Sequence, residues 1–128
     1  MAIKYETERL YIERVYYKKS EEIVFYIILK EDRKVVGEIT LTLYPLFFCD
    51  NTNLGFHIKN KSDYGKGYMT EALNGIKGYL KRYNMEACAY EENIASNKVL
   101  QKIFPNKKQI FASAYINTEK RKVNIYKF

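Results

Sequence analysis

The stretch from Asn53 to Tyr83 constrains this chain most, because its residue pattern changes character twice in quick succession. Leu54-Gly55-Phe56-His57-Ile58 is apolar and strand-like, Lys59-Asn60-Lys61-Ser62-Asp63 is polar, and Tyr64-Gly65-Lys66-Gly67-Tyr68 leads into a periodic segment. There Met69, Ala72, Leu73, Ile76, Leu80 and Tyr83 recur at intervals of three and four. That spacing gathers them on one face of a helix and leaves Thr70, Glu71, Asn74, Lys77, Lys81 and Arg82 on the other. The stretch reads as strand, loop and half-buried helix.

Gly65 and Gly67 stand where the loop becomes the helix, so backbone N–H groups there are open to a ligand. The first N–H groups of a helix have no internal partner and the macrodipole adds positive charge, which suits a phosphate; Lys66 adds more. A turn that merely enters a helix carries the same Gly-x-Gly. A P-loop is excluded, because it needs four residues between its glycines and a Gly-Lys-Ser/Thr ending. The dinucleotide fingerprint is excluded too: Thr70 stands where its third glycine belongs, and a polar loop separates the strand from Gly65.

Tyr64-Gly65-Lys66-Gly67-Tyr68-Met69-Thr70-Glu71-Ala72-Leu73 closely resembles the acetyl-CoA pyrophosphate loop of the GNAT N-acetyltransferases, especially the RimJ/RimL-like branch that acetylates ribosomal-protein N-termini. Against the family pattern Gln/Arg-x-x-Gly-x-Gly/Ala, Gly67 matches the central glycine, Tyr64 replaces the first residue and Met69 the last. Asn93-Ile94-Ala95-Ser96 resembles the family's Asn-x-x-Ser segment, which follows the fifth strand and opens the helix beside the cofactor. An asparagine that only caps a helix would look the same. Thr7-Glu8-Arg9-Leu10-Tyr11-Ile12 is similar to the first strand of that branch, so the resemblance covers nearly the whole chain.

The resemblance implies one α/β (α+β) domain over residues 1–128, with a mixed, mainly antiparallel sheet of about seven strands and helices after strands four and five. Relatives place two helices between the first two strands; here only Tyr16 to Glu22 connects them. It also implies acetyl-CoA as cosubstrate and direct attack by a primary amine, on a protein N-terminus or a small molecule. Phe56, His57 and Ile58 would line the pantetheine arm where the fourth and fifth strands part. Tyr64, Gly65, Lys66, Gly67, Tyr68, Met69 and Thr70 would hold the diphosphate, and Asn93 and Ser96 would border the cofactor. The family's tyrosine acid, seven residues after the asparagine, is Leu100 here, and its Gly-Phe is Phe104-Pro105. The leaving thiolate must then be protonated by another group or by water.

His57 is the candidate base, since imidazole is the side chain suited to proton transfer near neutrality. A packed or hydrogen-bonded histidine is the alternative. Glu38 and Glu86 are further candidates, each also readable as an exposed strand carboxylate.

Elsewhere the pattern predicts strands over Glu6 to Val15, Ile23 to Lys30, Val35 to Leu43 and Met85 to Tyr90, and a helix over Ile94 to Ile103. A closing hairpin runs from Lys108 to Asn117 and Arg121 to Phe128, around Thr118-Glu119-Lys120. Ile39, Leu41 and Leu43 face one way. Leu46-Phe47-Phe48 reads as a local core plug. Gly75 and Gly78 each cost a helix about 1 kcal/mol relative to alanine, which close approach to the sheet would explain.

Lys and Arg number 22 against 15 Asp and Glu, a net charge of +7 that attracts anions. Coenzyme A, nucleic acid and an acidic protein surface all fit that charge. The basic clusters read as solvated turns, and the 13 tyrosines follow no RNA-binding motif, so nucleic-acid binding ranks behind two other readings. Those are the acetyltransferase and a non-catalytic CoA-binding module. Two cysteines, Cys49 and Cys88, are too few for a disulfide framework and are expected to be thiols; one histidine gives no case for a zinc site. The longest apolar run, Ile23 to Leu29, is strand-sized and charges appear by Lys4 and Glu6, so no membrane span and a cytoplasmic location are expected. That same strand is apolar on both faces, which predicts a homodimer that covers the bare one, the alternative being that the Leu46-Phe47-Phe48 loop folds back over it.

Overall fold

Alternating runs of β-branched and aromatic residues make a sheet the larger part of this chain's regular structure. The computed structural model describes residues 4–15, 21–43, 52–114 and 117–128. Its strands are β1 (Lys4–Glu6), β2 (Leu10–Val15), β3 (Glu22–Leu29), β4 (Val35–Thr42), β5 (Thr52–Ile58), β6 (Met85–Tyr90), β7 (Asn106–Ala114) and β8 (Asn117–Lys127). They form one sheet in the order β1-β2-β3-β4-β5-β6-β8-β7. Every neighbouring pair is antiparallel except β5 and β6. Helices α1 (Tyr68–Gly75) and α2 (Lys77–Leu80) follow β5, and α3 (Ile94–Ile103) follows β6.

The expected first strand is split. Thr7 N–H donates to Leu10 O at 2.9 Å, turning the chain so that β1 and β2 pair as a hairpin and the sheet has eight strands. The closing hairpin also turns elsewhere than expected. Thr118, Glu119 and Lys120 lie inside β8, with Lys120 opposite Ser113 and Asn117 opposite Ala114, because pairing continues until only residues 115 and 116 separate the strands. β2 pairs with β3 from Leu10 opposite Leu29 to Val15 opposite Val24, and six residues between them cannot hold two helices of ordinary length.

The helix expected over Met69 to Tyr83 breaks at Ile76, which adopts φ −111° and ψ 13°. Hydrogen bonds from Ile76 N–H to Ala72 O (3.2 Å) and Leu80 N–H to Ile76 O (3.0 Å) keep the two helices in phase. Met69, Ala72, Leu73, Ile76 and Leu80 therefore all reach the core, joined by Tyr79. Gly75 does sit against the sheet: a Cβ there would lie 2.5 Å from Thr7 Cγ2. Gly78 has open space around it, and nothing in the structure explains its cost.

The core lies between these helices and one sheet face, built from Leu10, Ile12, Phe25, Ile27, Ile39, Leu41, Leu54, Met85, Ala87 and Ala89. Leu43, expected beside Ile39 and Leu41, is exposed just beyond the end of β4. On the opposite face Val24 is only 4% exposed within the single chain, and Tyr26 and Ile28 are half-buried. The face on which a second subunit was expected is thus covered at Val24 and partly exposed at Tyr26 and Ile28. Leu46-Phe47-Phe48 and most of the Tyr16 to Glu22 link lie outside the described residues. Cys88 is disulfide-bonded, which corrects the thiol expectation; Cys49 lies outside the described residues. Among the described residues no helix is long and apolar enough to cross a membrane, and no group of three or more His, Cys, Asp or Glu is placed to hold a metal ion.

Candidate functional site

β5 and β6 begin side by side and then part. They pair only at Thr52 with Met85, Asn53 with Glu86 and Leu54 with Ala87. Beyond Leu54, β5 stays with β4 as far as Ile58 opposite Gly37, while β6 follows β8 as far as Tyr90 opposite Val123. A wedge opens between residues 55–58 and 88–90. No described strand lies beside residues 55–58 on that side, so the inward backbone groups are available to an extended polar ligand.

Strand alternation sorts the three residues expected here. Phe56 and Ile58 turn to the helix side, half-buried against the core, and His57 projects from the other face. Its ring is 58% exposed, with Nδ1 3.9 Å from Glu38 Oε1 on the adjacent strand. Glu86 does not match the exposed carboxylate expected of it: it is 5% exposed and ion-paired to Lys127 Nζ at 3.2 Å.

The loop after β5 makes a short 3-10 turn at Lys61–Asp63 and enters α1 through two glycines in the left-handed region, Gly65 at φ 74° and Gly67 at φ 79°. That conformation strains residues with a Cβ. Gly67 is the N-cap and carries no side-chain cap; the first helical bond runs from Glu71 N–H to Gly67 O at 3.0 Å. The N–H groups of Tyr68, Met69 and Thr70 thus have no partner within the helix. Tyr64 is exposed and Tyr68 half-buried. Met69 is buried in the core, so its side chain does not crowd the loop, and only its backbone can serve a ligand there. Lys66 points part of its charge inward, with Nζ 3.6 Å from Asp63 Oδ1. Asp63 is buried and also receives Lys34 Nζ at 3.0 Å. The Lys34 hydrogen bond, aided by both lysine charges, holds its carboxyl below the ordinary value against the opposing effect of burial.

A clamp that the sequence pattern did not reveal ties this loop to the β1–β2 turn. Glu71 accepts from Thr7 Oγ1 (2.5 Å), Arg9 N–H (2.9 Å) and Arg9 Nε (2.6 Å). Arg9 Nη1 donates to Lys66 O at 3.0 Å, and the guanidinium lies 4.7 Å from the centre of the Tyr68 ring. Burial pushes the Glu71 carboxyl up, but these hydrogen bonds outweigh it and leave the group below its ordinary value. Nothing local marks the pair, since Glu71 falls on the polar side of the helical pattern.

Because β5 and β6 are parallel, the helices that follow them start at the same end of the sheet, and α1 packs against α3. Asn93 caps α3, its Oδ1 accepting from Ser96 N–H at 3.3 Å. Both residues thus stand at the edge of the wedge, although Asn93 already has a structural task. The larger one falls to Asn97, which sequence reasoning missed. Its Nδ2 donates to Tyr90 O (2.9 Å) and Asn93 O (2.8 Å), and its Oδ1 accepts from Asn124 Nδ2 (2.9 Å) and Tyr126 OH (2.6 Å). A polar residue three positions before Leu100, on the buried stripe of α3, was the available signal.

No curated protein sequence matches the chain significantly. Among solved structures, a Bordetella pertussis protein described as a GnaT-family acetyltransferase superposes with TM-score 0.71 at 9% identity, covering 98% of this chain and 99% of its own. A GNAT-family acetyltransferase from Bacillus anthracis gives TM-score 0.69 at 18% identity, with 98% of each chain covered. RimL, a ribosomal alpha-N-protein acetyltransferase in complex with coenzyme A, gives 0.64 at 18% identity, over 83% of this chain and 60% of RimL. Such identities show a shared fold. Independently, the family model for the acetyltransferase (GNAT) domain matches residues 3–103. That match takes in both sides of the wedge and the starts of α1 and α3, and with it the chain belongs to the GNAT acetyltransferase family.

Proposed function

We propose that this protein is an acetyl-CoA-dependent N-acetyltransferase that acetylates a primary amine, at a protein N-terminus or on a small molecule. The observation that carries this reading is the departure of β5 from β6 after Leu54. It leaves a backbone edge that runs directly towards Gly65 and Gly67 and the uncapped start of α1. An extended arm with amide groups fits the edge, and a diphosphate fits the helix start. Acetyl-CoA supplies the acyl group as a thioester.

The chain's own residues then position two reactants and handle protons. Phe56 and Ile58 give the edge an apolar side. His57, oriented by Glu38, takes the proton from the incoming amine as the C–N bond forms and the C–S bond breaks. The departing thiolate takes its proton from water, because Leu100 is 1% exposed and fills the place of the family's tyrosine. A homodimer that covers the face of Val24, Tyr26 and Ile28 is part of this reading, supported by the partial exposure of Tyr26 and Ile28.

Binding of CoA without catalysis is the second reading, favoured by the same buried Leu100. Calorimetry with acetyl-CoA and CoA, followed by thiol release in the presence of N-terminal peptides and small amines, separates the two. Binding with amine-dependent thiol release supports the transferase. Binding without release from any amine favours the second reading, and no binding of either thioester or thiol overturns both.

A further inference from the structure

Several lysines of the sheet and glycine loop have a carboxylate at hand: Lys4 with Glu13, Lys30 with Glu6, Lys34 and Lys66 with Asp63, and Lys127 with Glu86. Lys77, Lys81 and Lys102 differ. Among the described residues none of them is ion-paired, yet all three converge on one concavity of about 340 Å³. Lys77 and Lys81 come from α2 and the residue just after it, Lys102 from the last turn of α3. Its apolar wall is Phe104, Pro105 and Phe128, and no carboxylate side chain lines it. The Phe104 and Phe128 ring centres are 4.5 Å apart.

This groove lies at the opposite end of α3 from Asn93, about 15 Å away along a ten-residue helix, so it is separate from the wedge. We propose that it docks an acidic peptide segment of a partner protein that carries an apolar side chain. The apolar side chain seats against Pro105 and the exposed part of Phe128, and the flanking carboxylates meet the three lysines. A single compact phosphate fits less well. The groove sits at the C-terminal end of α3, whose partial negative charge disfavours an anion placed there, whereas carboxylates spaced along a chain reach the lysine rim. Nucleic acid fits less well too. Phe104 is 3% exposed and Phe128 only half-buried, so the groove lacks the two or more open ring faces on which successive bases stack.

The test is fluorescence anisotropy of a labelled peptide, Asp-Glu-Asp-Phe-Asp-Glu-Asp, with the full chain in about 150 mM salt. Micromolar binding that falls about tenfold or more in Lys81→Glu/Lys102→Glu, with little change in Lys107→Glu/Lys108→Glu on β7, is the expected result. Replacing the peptide's phenylalanine by alanine should also cost several-fold. An unchanged melting temperature and CoA affinity in the first double variant show that the fold and the wedge are intact. Equal losses in the two double variants, equal affinity for the alanine peptide, no binding, or tighter binding of a single-stranded oligonucleotide through the same lysines would each overturn the proposal.

Discussion

Glu38 and His57 stand directly opposite each other on β4 and β5, with Oε1 3.9 Å from Nδ1, on the sheet face away from α1. At that separation the carboxylate orients the ring electrostatically without the short contact of a hydrogen bond. His57→Ala is expected to lower kcat about 100-fold, the lower end for loss of a general base, with little change in the KM for acetyl-CoA. Glu38→Gln should cost less, since it leaves the imidazole in place. Initial-rate kinetics decide this, and undiminished turnover in His57→Ala would remove the ring from the mechanism.

Gly67 separates conformation from charge at the helix start. Its φ of 79° makes Gly67→Ala strained by about 1–2 kcal/mol, while Gly67→Glu adds a carboxylate near the expected phosphate position. CoA affinity should fall at least about tenfold further in the glutamate variant than in the alanine variant. Lys66→Ala should weaken binding less than about threefold, because its ammonium is shared with Asp63. Calorimetry that finds equal CoA affinity in wild type and Gly67→Glu would take the diphosphate away from this loop.

Glu71 and Asp63 make the loop sensitive to acid. Both carboxyls lie below their ordinary values of 4.5 and 3.8 in the folded chain, so their stabilising effect is complete above those values and is lost as pH falls through the lowered ones. Thermal melts from neutral pH down to about pH 3 should show a falling melting temperature at the acid end. Glu71→Gln should lower the melting temperature at neutral pH and flatten part of that slope. An identical slope in wild type and variant would mean the Arg9–Glu71 clamp adds nothing.

Two asparagines four positions apart have different weights. Asn97→Ala strips Asn124 and Tyr126 of their acceptor and Tyr90 O and Asn93 O of a donor, so it should cost about 2–4 kcal/mol in urea denaturation. Asn93→Ala should cost about 1 kcal/mol as a lost cap. If Asn93 also borders the cofactor, the same variant loses CoA affinity; lost stability with intact affinity leaves it a cap alone.

What could be read in advance was local. β6 and α3 fall over Met85–Tyr90 and Ile94–Ile103 as the pattern indicates, because strand alternation, a capping asparagine and an apolar stripe all lie within a few residues of one another. The glycine loop was legible for the same reason. The split of the first strand was not, since the Thr7 to Arg9 turn is held by Glu71, far along the chain. Asn97 looked like one more helix residue until β8 brought Asn124 and Tyr126 to it. The break at Ile76 left no mark in the apolar spacing, because the second helix resumes in phase.

Among the described residues, β5 and β6 pair only at three positions, Thr52 to Leu54, where a five-stranded half-sheet, β1 to β5, meets a three-stranded one, β6 to β8. Above that short seam α1 packs on α3, so the two sides of the wedge are held together at its root and by the helices over it. Whatever lies in the wedge therefore works as a strut, stiffening both halves at once. The width of the wedge is thus set at the root of the strands, where the pairing ends, rather than at the residues along its sides.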